Sequence, residues 1–429
     1  MPCAATCGGH AATVLACCWT PRHDHTPAVR GWCPGLHTPM EAADGWLVRV
    51  RPPLGRLSAP QGRLVARAAR THGNGLIELT SRGNLQLRGL TPDSARAFAH
   101  DMAEAGLAST DAATEARRSL LLSPLAGIDP QAAPDAPAII HALDAALARA
   151  STLRGLPAKF VIAVECGGYV PAGTLRADIV VRAQGAGWLV ACGARALPCP
   201  AAAITPTVLA LAHALAACGS RPLRDPALGT QAFDRLGLLE ATRAAPSAVR
   251  NTPCLAGALP GHAMGAVLPP GPMDADLLGA MAQWSVQAGN GHMRVAPLRA
   301  IVFEDCATQP PLPGLITHAD DPRLRISACI GARGCGCAAR DVLADARTLA
   351  PDLPAHATLH VSGCPKGCAH PAPADITLVA QVDGYGLCPH GRADETPVDN
   401  GLSLAQIQHI VRDWPRNLTT PRNGRTQPA

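Results

Sequence analysis

Gly73-Asn-Gly-Leu-Ile-Glu-Leu-Thr-Ser-Arg-Gly-Asn-Leu-Gln-Leu-Arg-Gly89 is the stretch on which the fold turns. Gly73-Asn-Gly75 tolerates left-handed backbone and ends a helix. The residues before it, Ser58 to Arg70, place Leu64 and Ala68 at helical spacing. Leu76-Ile-Glu-Leu-Thr80 begins a strand. Arg82, Asn84, Gln86 and Arg88 occupy every second position, which predicts one strand with all four polar side chains on one face. Such a face is either solvated or lines a polar pocket. Upstream, Trp46-Leu-Val-Arg-Val-Arg51 alternates as a half-buried strand does, and Pro52, Pro53 and Gly55 interrupt it.

The same order of elements returns. Ala266-Val-Leu-Pro-Pro-Gly271 precedes a helical stretch from Asp274 to Gln287, Gly289-Asn-Gly291 ends it, and His292-Met-Arg-Val295 begins a strand. Pro52 lies 23 residues before Gly75, and Pro269 lies 22 before Gly291. Recurrence of both order and spacing indicates an internal duplication. Each repeat is followed by a longer α/β segment. The first holds strand-like Phe160-Val-Ile-Ala-Val164 and Ala177-Asp-Ile-Val-Val181, then a helix around Val208 to Ala217. The second holds Thr358-Leu-His-Val361 and Ile376-Thr-Leu-Val-Ala380. The expected plan is α+β with a pseudo-two-fold: an extension over 1–29, a small half domain over 30–112, a larger module over 113–248, a second half domain over 249–315, a second module over 316–400, and a closing helix and tail over 401–429. Cys3, Cys7, Cys17, Cys18, His10, His23 and His25 in the extension match no zinc spacing.

Composition bounds the function. The 429 residues carry a net charge of only +5 and 3% aromatics, which argues against a nucleic-acid-coating surface and against base-stacking platforms. No uninterrupted apolar run reaches the roughly 18 residues of a membrane span, and Met1 to Trp19 lacks a basic stretch ahead of its apolar part. The 17 cysteines are an odd number spread over a long chain, so a reducing, cytoplasmic compartment with some metal-binding thiols is expected. Lys159 and Lys366 are the only lysines. Base-composition bias accounts for that, yet any anion held here is held mostly by guanidinium forks.

The sharpest chemical signal is Cys329-Ile-Gly-Ala-Arg-Gly-Cys335 followed by Cys364-Pro-Lys-Gly-Cys368. Two close pairs of soft sulfur ligands suit an iron–sulfur cluster. Zinc is the alternative, although its structural sites favour tighter knuckles. Four buried thiols serving as small hydrophobes are the plain alternative. Gly331, Gly334, Gly363 and Gly367 allow close backbone approach to sulfur. Cys337 stands near enough in sequence to replace Cys335. The other cysteines, among them Cys166, Cys192 and Cys388, read as packing residues.

These motifs resemble the nitrite/sulfite reductase superfamily. C-x5-C followed by C-x3-C is similar to its cluster signature, Thr80 to Gly89 to its ferredoxin-like strand motif, and Leu156-Pro-Ala-Lys-Phe160 to its anion-site segment. The resemblance spans residues 30–400. It implies two ferredoxin-like half domains and two larger α/β modules, the second holding a 4Fe-4S cluster on Cys329, Cys335, Cys364 and Cys368. Arg30 to Met40 and Val361 to Pro371 are most similar to a cobalamin-pathway branch of that superfamily. Resemblance to that branch implies an iron–sulfur-dependent monooxygenase that hydroxylates precorrin-3A with O2 and forms a γ-lactone from a ring acetate. The siroheme-dependent reduction of sulfite or nitrite is the alternative reaction, and siroheme belongs only to it. A mononuclear non-heme iron is left open. So is the electron donor, NADH-linked or ferredoxin-like, because no G-x-G-x-x-G follows a strand. The tetrapyrrole carboxylates would meet Arg82, Asn84, Gln86 and Arg88, with Arg118, Lys159, Arg294 and Arg299 as further candidates. His370 would act as proton donor or iron ligand. Two departures stand out: Val161 occupies the second position of the reductases' Lys-x-Lys pair, and Ser119 replaces their usual Asn after Arg118.

Overall fold

The computed structural model describes residues 34–415 apart from 81, 154–155, 157–158, 172, 218–220, 223–224, 239–240 and 244–252. The 1–29 extension, the residues after 415 and the Pro157-Ala158 part of the anion-site segment therefore lie outside the described residues.

The first repeat runs β1 (Met40–Ala42), β2 (Gly45–Val50), β3 (Arg56–Ser58), α1 (Ala59–His72), β4 (Leu76–Leu79), β5 (Leu85–Leu90) and α2 (Pro92–Glu104). Helix α1 begins where Ser58 and Gln61 form a reciprocal capping box, with Pro60 in its first turn. After α3 (Ala112–Arg117) come β6 (Leu120–Leu122), α4 (Ala136–Arg149), β7 (Ile162–Glu165), β8 (Ile179–Gln184), β9 (Gly187–Cys192), β10 (Arg195–Cys199), α5 (Ala201–Ala216), α6 (Ala227–Arg235) and β11 (Thr242–Arg243). The second repeat holds β12 (Gly257–Leu259), β13 (Ala263–Val267), β14 (Met273–Asp274), α7 (Ala275–Ala288), β15 (His292–Ala296) and β16 (Ala300–Phe303). The chain closes with β17 (Ile326–Ala328), α8 (Val342–Leu349), β18 (Leu359–Ser362), β19 (Ile376–Gln381), β20 (Gly384–Pro389), β21 (Asp399–Leu402) and α9 (Leu404–Arg412).

Among the described residues, four sheets form two matched pairs. The small sheets have orders β1-β2-β5-β4-β14 and β12-β13-β16-β15-β3. Each repeat thus lends the short strand before its helix, β3 or β14, to the other repeat's sheet, and the exchange makes the two half domains inseparable. The larger sheets contain β6-β7-β8-β9-β10 and β17-β18-β19-β20-β21 in the same order, with two parallel pairings followed by antiparallel ones. Sequence reading did not anticipate the strand exchange, because periodicity reports which face a strand buries and not which neighbour it pairs with.

Helices α1 and α7 pack on one another through small residues. A Cβ on Gly62 would come 3.0 Å from Ala282 Cβ and from Met293 Cε. Beneath them Val48, Val50, Ile77, Leu85, Leu87, Met293, Ile301 and Phe303 form one core shared by both small sheets. The first sheet turns its alternate residues, Arg49, Glu78, Gln86 and Arg88, to the opposite face. The larger modules have cores of their own around Ile162, Val181 and Leu211, and around Leu359, Leu378 and Tyr385. Among the described residues, no helix is long and apolar enough to cross a membrane.

Leu57 on β3 is fully buried and pairs with Met293 of the other repeat. Leu57→Ala is expected to cost about 2–5 kcal/mol, measured as a lower denaturant midpoint, with both half domains unfolding together.

Candidate functional site

Strand β5 starts at Leu85, so the sequence expectation of four polar residues on one strand is corrected: only Gln86 and Arg88 are strand residues, and Arg82 and Asn84 sit in the β4–β5 turn. The cause is turn chemistry. Gly83 adopts φ +67°, and the Thr80 hydroxyl accepts from the amides of Arg82 and Asn84, which folds the chain back before the ladder begins. The consequence is a split. Arg82 and Asn84 line a cavity, while Gln86 and Arg88 enter a buried polar row.

That cavity measures about 540 Å³. Arg82 and Asn84 line it together with Arg118 at the end of α3 and Arg294 on β15. Arg51 and Arg56 on either side of the β2–β3 turn also line it, as do His141 and Asp144 on α4. Leu120, Leu121 and Ile140 supply apolar wall between the cations. A smaller recess shares Arg51, Arg82 and Asn84 and adds Arg49, Ser119 and Val161. The expected Gln86, Arg88, Lys159 and Arg299 are not on this wall. Lys159 contributes its carbonyl, which accepts from Arg82 Nη1 at 3.5 Å. Arg299 reaches the carbonyl of Ile326 at 3.3 Å at the start of β17, and burial pushes its pKa down to about 10.

The cations are unequally compensated. Glu304 takes a two-point fork from Arg56 at 2.9 and 2.6 Å and a bond from Arg294 at 2.8 Å. Burial alone would push the Glu304 carboxyl up, but the two guanidinium groups outweigh it and hold it at about 2. Arg118 is paired with Glu115 at 3.0 Å. Arg51 is different. Burial lowers its pKa, Glu115 partly offsets this, and Arg82, Arg49 and Arg118 lower it further. Its Nη1 is buried without a hydrogen-bond partner. Sequence reading passed over Arg49, Arg51 and Arg56, although the first two stand in the alternating stretch it used to place β2.

The polar row crosses the first small sheet. Arg49, Gln86 and Glu78 are side by side on β2, β5 and β4. Arg49 Nε donates to Gln86 Oε1 at 2.8 Å, and Gln86 Nε2 donates to Glu78. Arg88 closes the row. It bonds both oxygens of Asp44 at 2.8 Å, meets Glu78 at 3.4 Å, and donates from Nη2 to the carbonyl of Gly334 at 2.9 Å.

Gly334 precedes Cys335, so the row leads to the cysteine loops. Cys329 follows β17 and Cys364 lies just beyond β18. These strands are parallel neighbours with Ala328 opposite Val361, which brings both loops to the same sheet end. Cys329 Sγ accepts from the Gly363 amide at 3.2 Å, and a Cβ on Gly363 would meet that sulfur at 3.1 Å and Ala338 Cβ at 2.7 Å. Burial raises the thiol pKa values of Cys329 and Cys364, and Cys335 acts electrostatically on both and on the more exposed Cys368. Cys337 acts on Cys364 and Cys368. Thiols gathered at one end of a sheet in glycine-rich loops, each resisting ionisation unless a cationic centre joins it, are a donor set that fits a metal cluster.

His370 is half-buried, with Nε2 3.4 Å from the Pro373 carbonyl, and its ring meets His360 edge-on at 5.7 Å. His360 on β18 was not singled out from sequence. It is wholly buried with neither ring nitrogen partnered, and burial, then His370, lowers its pKa to about 4.

Residues 39–105 match the nitrite/sulfite reductase ferredoxin-like half domain. A precorrin-3B synthase of Sinorhizobium sp is 33% identical over 419 residues, covering 89% of each chain. The chain belongs to the precorrin-3B synthase family. A ferredoxin–nitrite reductase of Synechococcus elongatus is 34% identical over 127 residues, 28% of this chain and 25% of its own. The NirA protein of Mycobacterium tuberculosis shares the fold, with a TM-score of 0.65 at 19% identity over 86% of this chain and 79% of its own. The α+β, pseudo-two-fold architecture expected from sequence is therefore the architecture of this superfamily.

Because the folded-state pKa of Glu304 is depressed from 4.5 to about 2, its contribution to stability is fully present above about pH 4.5 and is lost as pH falls towards 2. Glu304→Gln is expected to flatten that acid-side slope in denaturation midpoints measured from pH 5 down to pH 2.

Proposed function

We propose that the chain is an oxidoreductase that hydroxylates precorrin-3A with O2 and closes a γ-lactone from a ring acetate, a monooxygenase step of cobalamin synthesis. The observation that carries this reading is the match to a precorrin-3B synthase over 89% of both chains. The arginine-lined cavity supports it, since a tetrapyrrole with many carboxylates needs several cations at separate points. Arg51 supplies an unpaired, buried guanidinium nitrogen for one carboxylate. Arg82 and Asn84 address a second from the β4–β5 turn, with Arg118 and Arg294 beside them. Leu120, Leu121 and Ile140 suit the apolar face of the macrocycle. His141 is the imidazole on the cavity wall and can hold or pass a proton there. His370, beside the second cysteine loop, holds a proton at Nε2 near the Pro373 carbonyl rather than at the cavity.

Cys329, Cys335, Cys364 and Cys368 would hold a 4Fe-4S cluster, with Cys335 preferred to Cys337 because it completes the C-x5-C spacing with Cys329. Such a cluster supplies single electrons when bound. For a mononuclear iron the fit is poor. Among the described residues, the one group of three His, Cys, Asp or Glu ligand atoms within 4.8 Å of one another is His100, Asp101 and Glu104 on helix α2, off the cavity wall. The reducing partner is an electron donor outside this chain.

Sulfite or nitrite reduction is disfavoured by Val161. It is 3% exposed, packs with Leu121, Ala163 and Leu175, and adds no charge to the smaller recess that it lines with Arg49, Arg51 and Arg82. A cation lost there removes stabilisation of a negatively charged transition state.

Anaerobic protein given precorrin-3A, a reductant and O2 should yield a product heavier by one oxygen atom by mass spectrometry. A siroheme absorption spectrum in the purified chain, with no such product, would sink the reading. Arg51→Ala should weaken tetrapyrrole binding by about tenfold to a hundredfold in a fluorescence titration. Cys364→Ser should abolish bound iron and acid-labile sulfide.

A further inference from the structure

Arg88 was expected to grip substrate, yet it is 3% exposed and engaged by four acceptors of this chain. Three belong to its own half domain: both oxygens of Asp44 and one of Glu78. The fourth belongs to the other end of the sequence, the carbonyl of Gly334 immediately before Cys335. This bond reaches across 246 residues and joins the first half domain to the first cysteine loop.

A second observation shows that the loop is shaped to receive the guanidinium. A Cβ on Gly334 would lie 2.4 Å from Arg88 Nη2, 2.9 Å from Ile330 Cγ1 and 3.0 Å from Asp44 Oδ2, so the fork fills the space that a side chain would need. The φ of Gly334 is −151°, outside the left-handed region, so the case for glycine here rests on space. The loop is otherwise tied inward, by the Cys335 amide to the Gly331 carbonyl and the Ala332 amide to the Arg340 carbonyl. Arg88 is an outside tether on the segment between Cys329 and Cys335.

We propose that Arg88 is a positioning residue for the cysteine loops: its fork, held by Asp44, fixes the carbonyl of Gly334 and so holds Cys335 where the other three thiols can share one centre with it. This rests on the cluster reading above. Arg88 touches neither the substrate cavity nor sulfur in this account and acts through the peptide that precedes Cys335. The alternative is simple docking of the half domain on the module, which would leave the properties of a bound cluster untouched.

Two variants separate these roles. Arg88→Lys keeps the charge but cannot bond Asp44 and Gly334 as a planar fork. Gly334→Ala keeps Arg88 and fills its place. Each is prepared anaerobically as the full chain beside wild type, with circular dichroism to establish folding. Iron and sulfide content, the reduced-state electron paramagnetic resonance spectrum and the rate of iron loss to a chelator are then measured. Both variants should lose iron about tenfold faster or more and show an altered spectrum, while a titrated tetrapyrrole still binds as in wild type. Folded variants with wild-type spectra and iron-loss rates within about twofold of wild type overturn the inference and leave the cluster reading standing. A variant that fails to fold is replaced by Asp44→Asn, which loosens the fork without removing it and should give the same change in smaller measure. Wild-type protein without iron and sulfide overturns the cluster reading, and this inference with it.

Discussion

A sheet face that is both polar and buried is the constraint around which the molecule is arranged. Strand β5 sends Leu85 and Leu87 into the core under α1 and α7, so Gln86 and Arg88 must point the other way. They do not reach water: Gln86 is 7% exposed and Arg88 3%. A buried guanidinium left without partners costs several kcal/mol, so the surroundings have to supply acceptors in the right places. Asp44 comes from the tight β1–β2 turn, where Gly45 adopts φ +112° and a Cβ would strike the Gly89 backbone at 2.9 Å. Glu78 comes from the adjacent strand, and Gly334 from a module far along the chain. One alternating strand thereby sets a turn, a cross-strand pair and an interdomain contact.

The duplication repeats this solution with its charges exchanged. Ile77 pairs with Leu87 in one small sheet and Met293 with Phe303 in the other, so Glu78 corresponds to Arg294 and Arg88 to Glu304. Both couples are ion pairs, Glu78 with Arg88 and Arg294 with Glu304. In each, the arginine also bonds carbonyls of the loop that follows the first strand of a larger sheet: Gly334 beyond β17, and Ala126 and Pro124 beyond β6. The residue directly after β17 is Cys329, and the residue directly after β6 is Ser123. The two loops are thus structural counterparts with different chemistry. One carries thiols, and the other lines the cavity with Ser123, Pro124, Ala126 and Gly127. Asymmetric use of a symmetric frame gives one chain both a cysteine-bearing loop and an arginine-lined cavity.

Much of this was legible in the sequence. The repeats are marked by their proline and glycine punctuation, and the helices α1 and α7 and the strands β2, β4, β15, β18 and β19 fall where alternation and spacing put them. The paired cysteines were legible because their spacing within each loop is local, and parallel pairing of β17 and β18 then unites the loops. What escaped was set by tertiary partners. Periodicity could not separate Arg82 from Gln86, because the hydroxyl of Thr80 turns the chain before the ladder starts. Neither could it show that Arg88 is saturated, since its fourth acceptor is 246 residues away. His360 looked like any strand residue. Arg51 was read only as the polar partner in an alternating strand, although the cavity leaves it a buried nitrogen without a partner.

The distribution of charge in the cavity says what size of anion it suits. Arg56 and Arg294 share Glu304, and Arg118 has Glu115, so these three cations are paired within the protein. Arg51 is not, and Arg49, Arg82 and Arg118 add to its burden. An anion at Arg51 would relieve a desolvation penalty that the fold otherwise carries, which is how a site converts stored instability into affinity. A small oxyanion could relieve it at one point only. The guanidinium groups here come from both sides of the β2–β3 turn, from the β4–β5 turn, from the end of α3 and from β15, with Leu120, Leu121 and Ile140 between them. Cations spaced around apolar wall match a broad, flat molecule whose carboxylates stand at its rim. Val161, buried where a second lysine would focus charge, removes the feature that a compact anion would need.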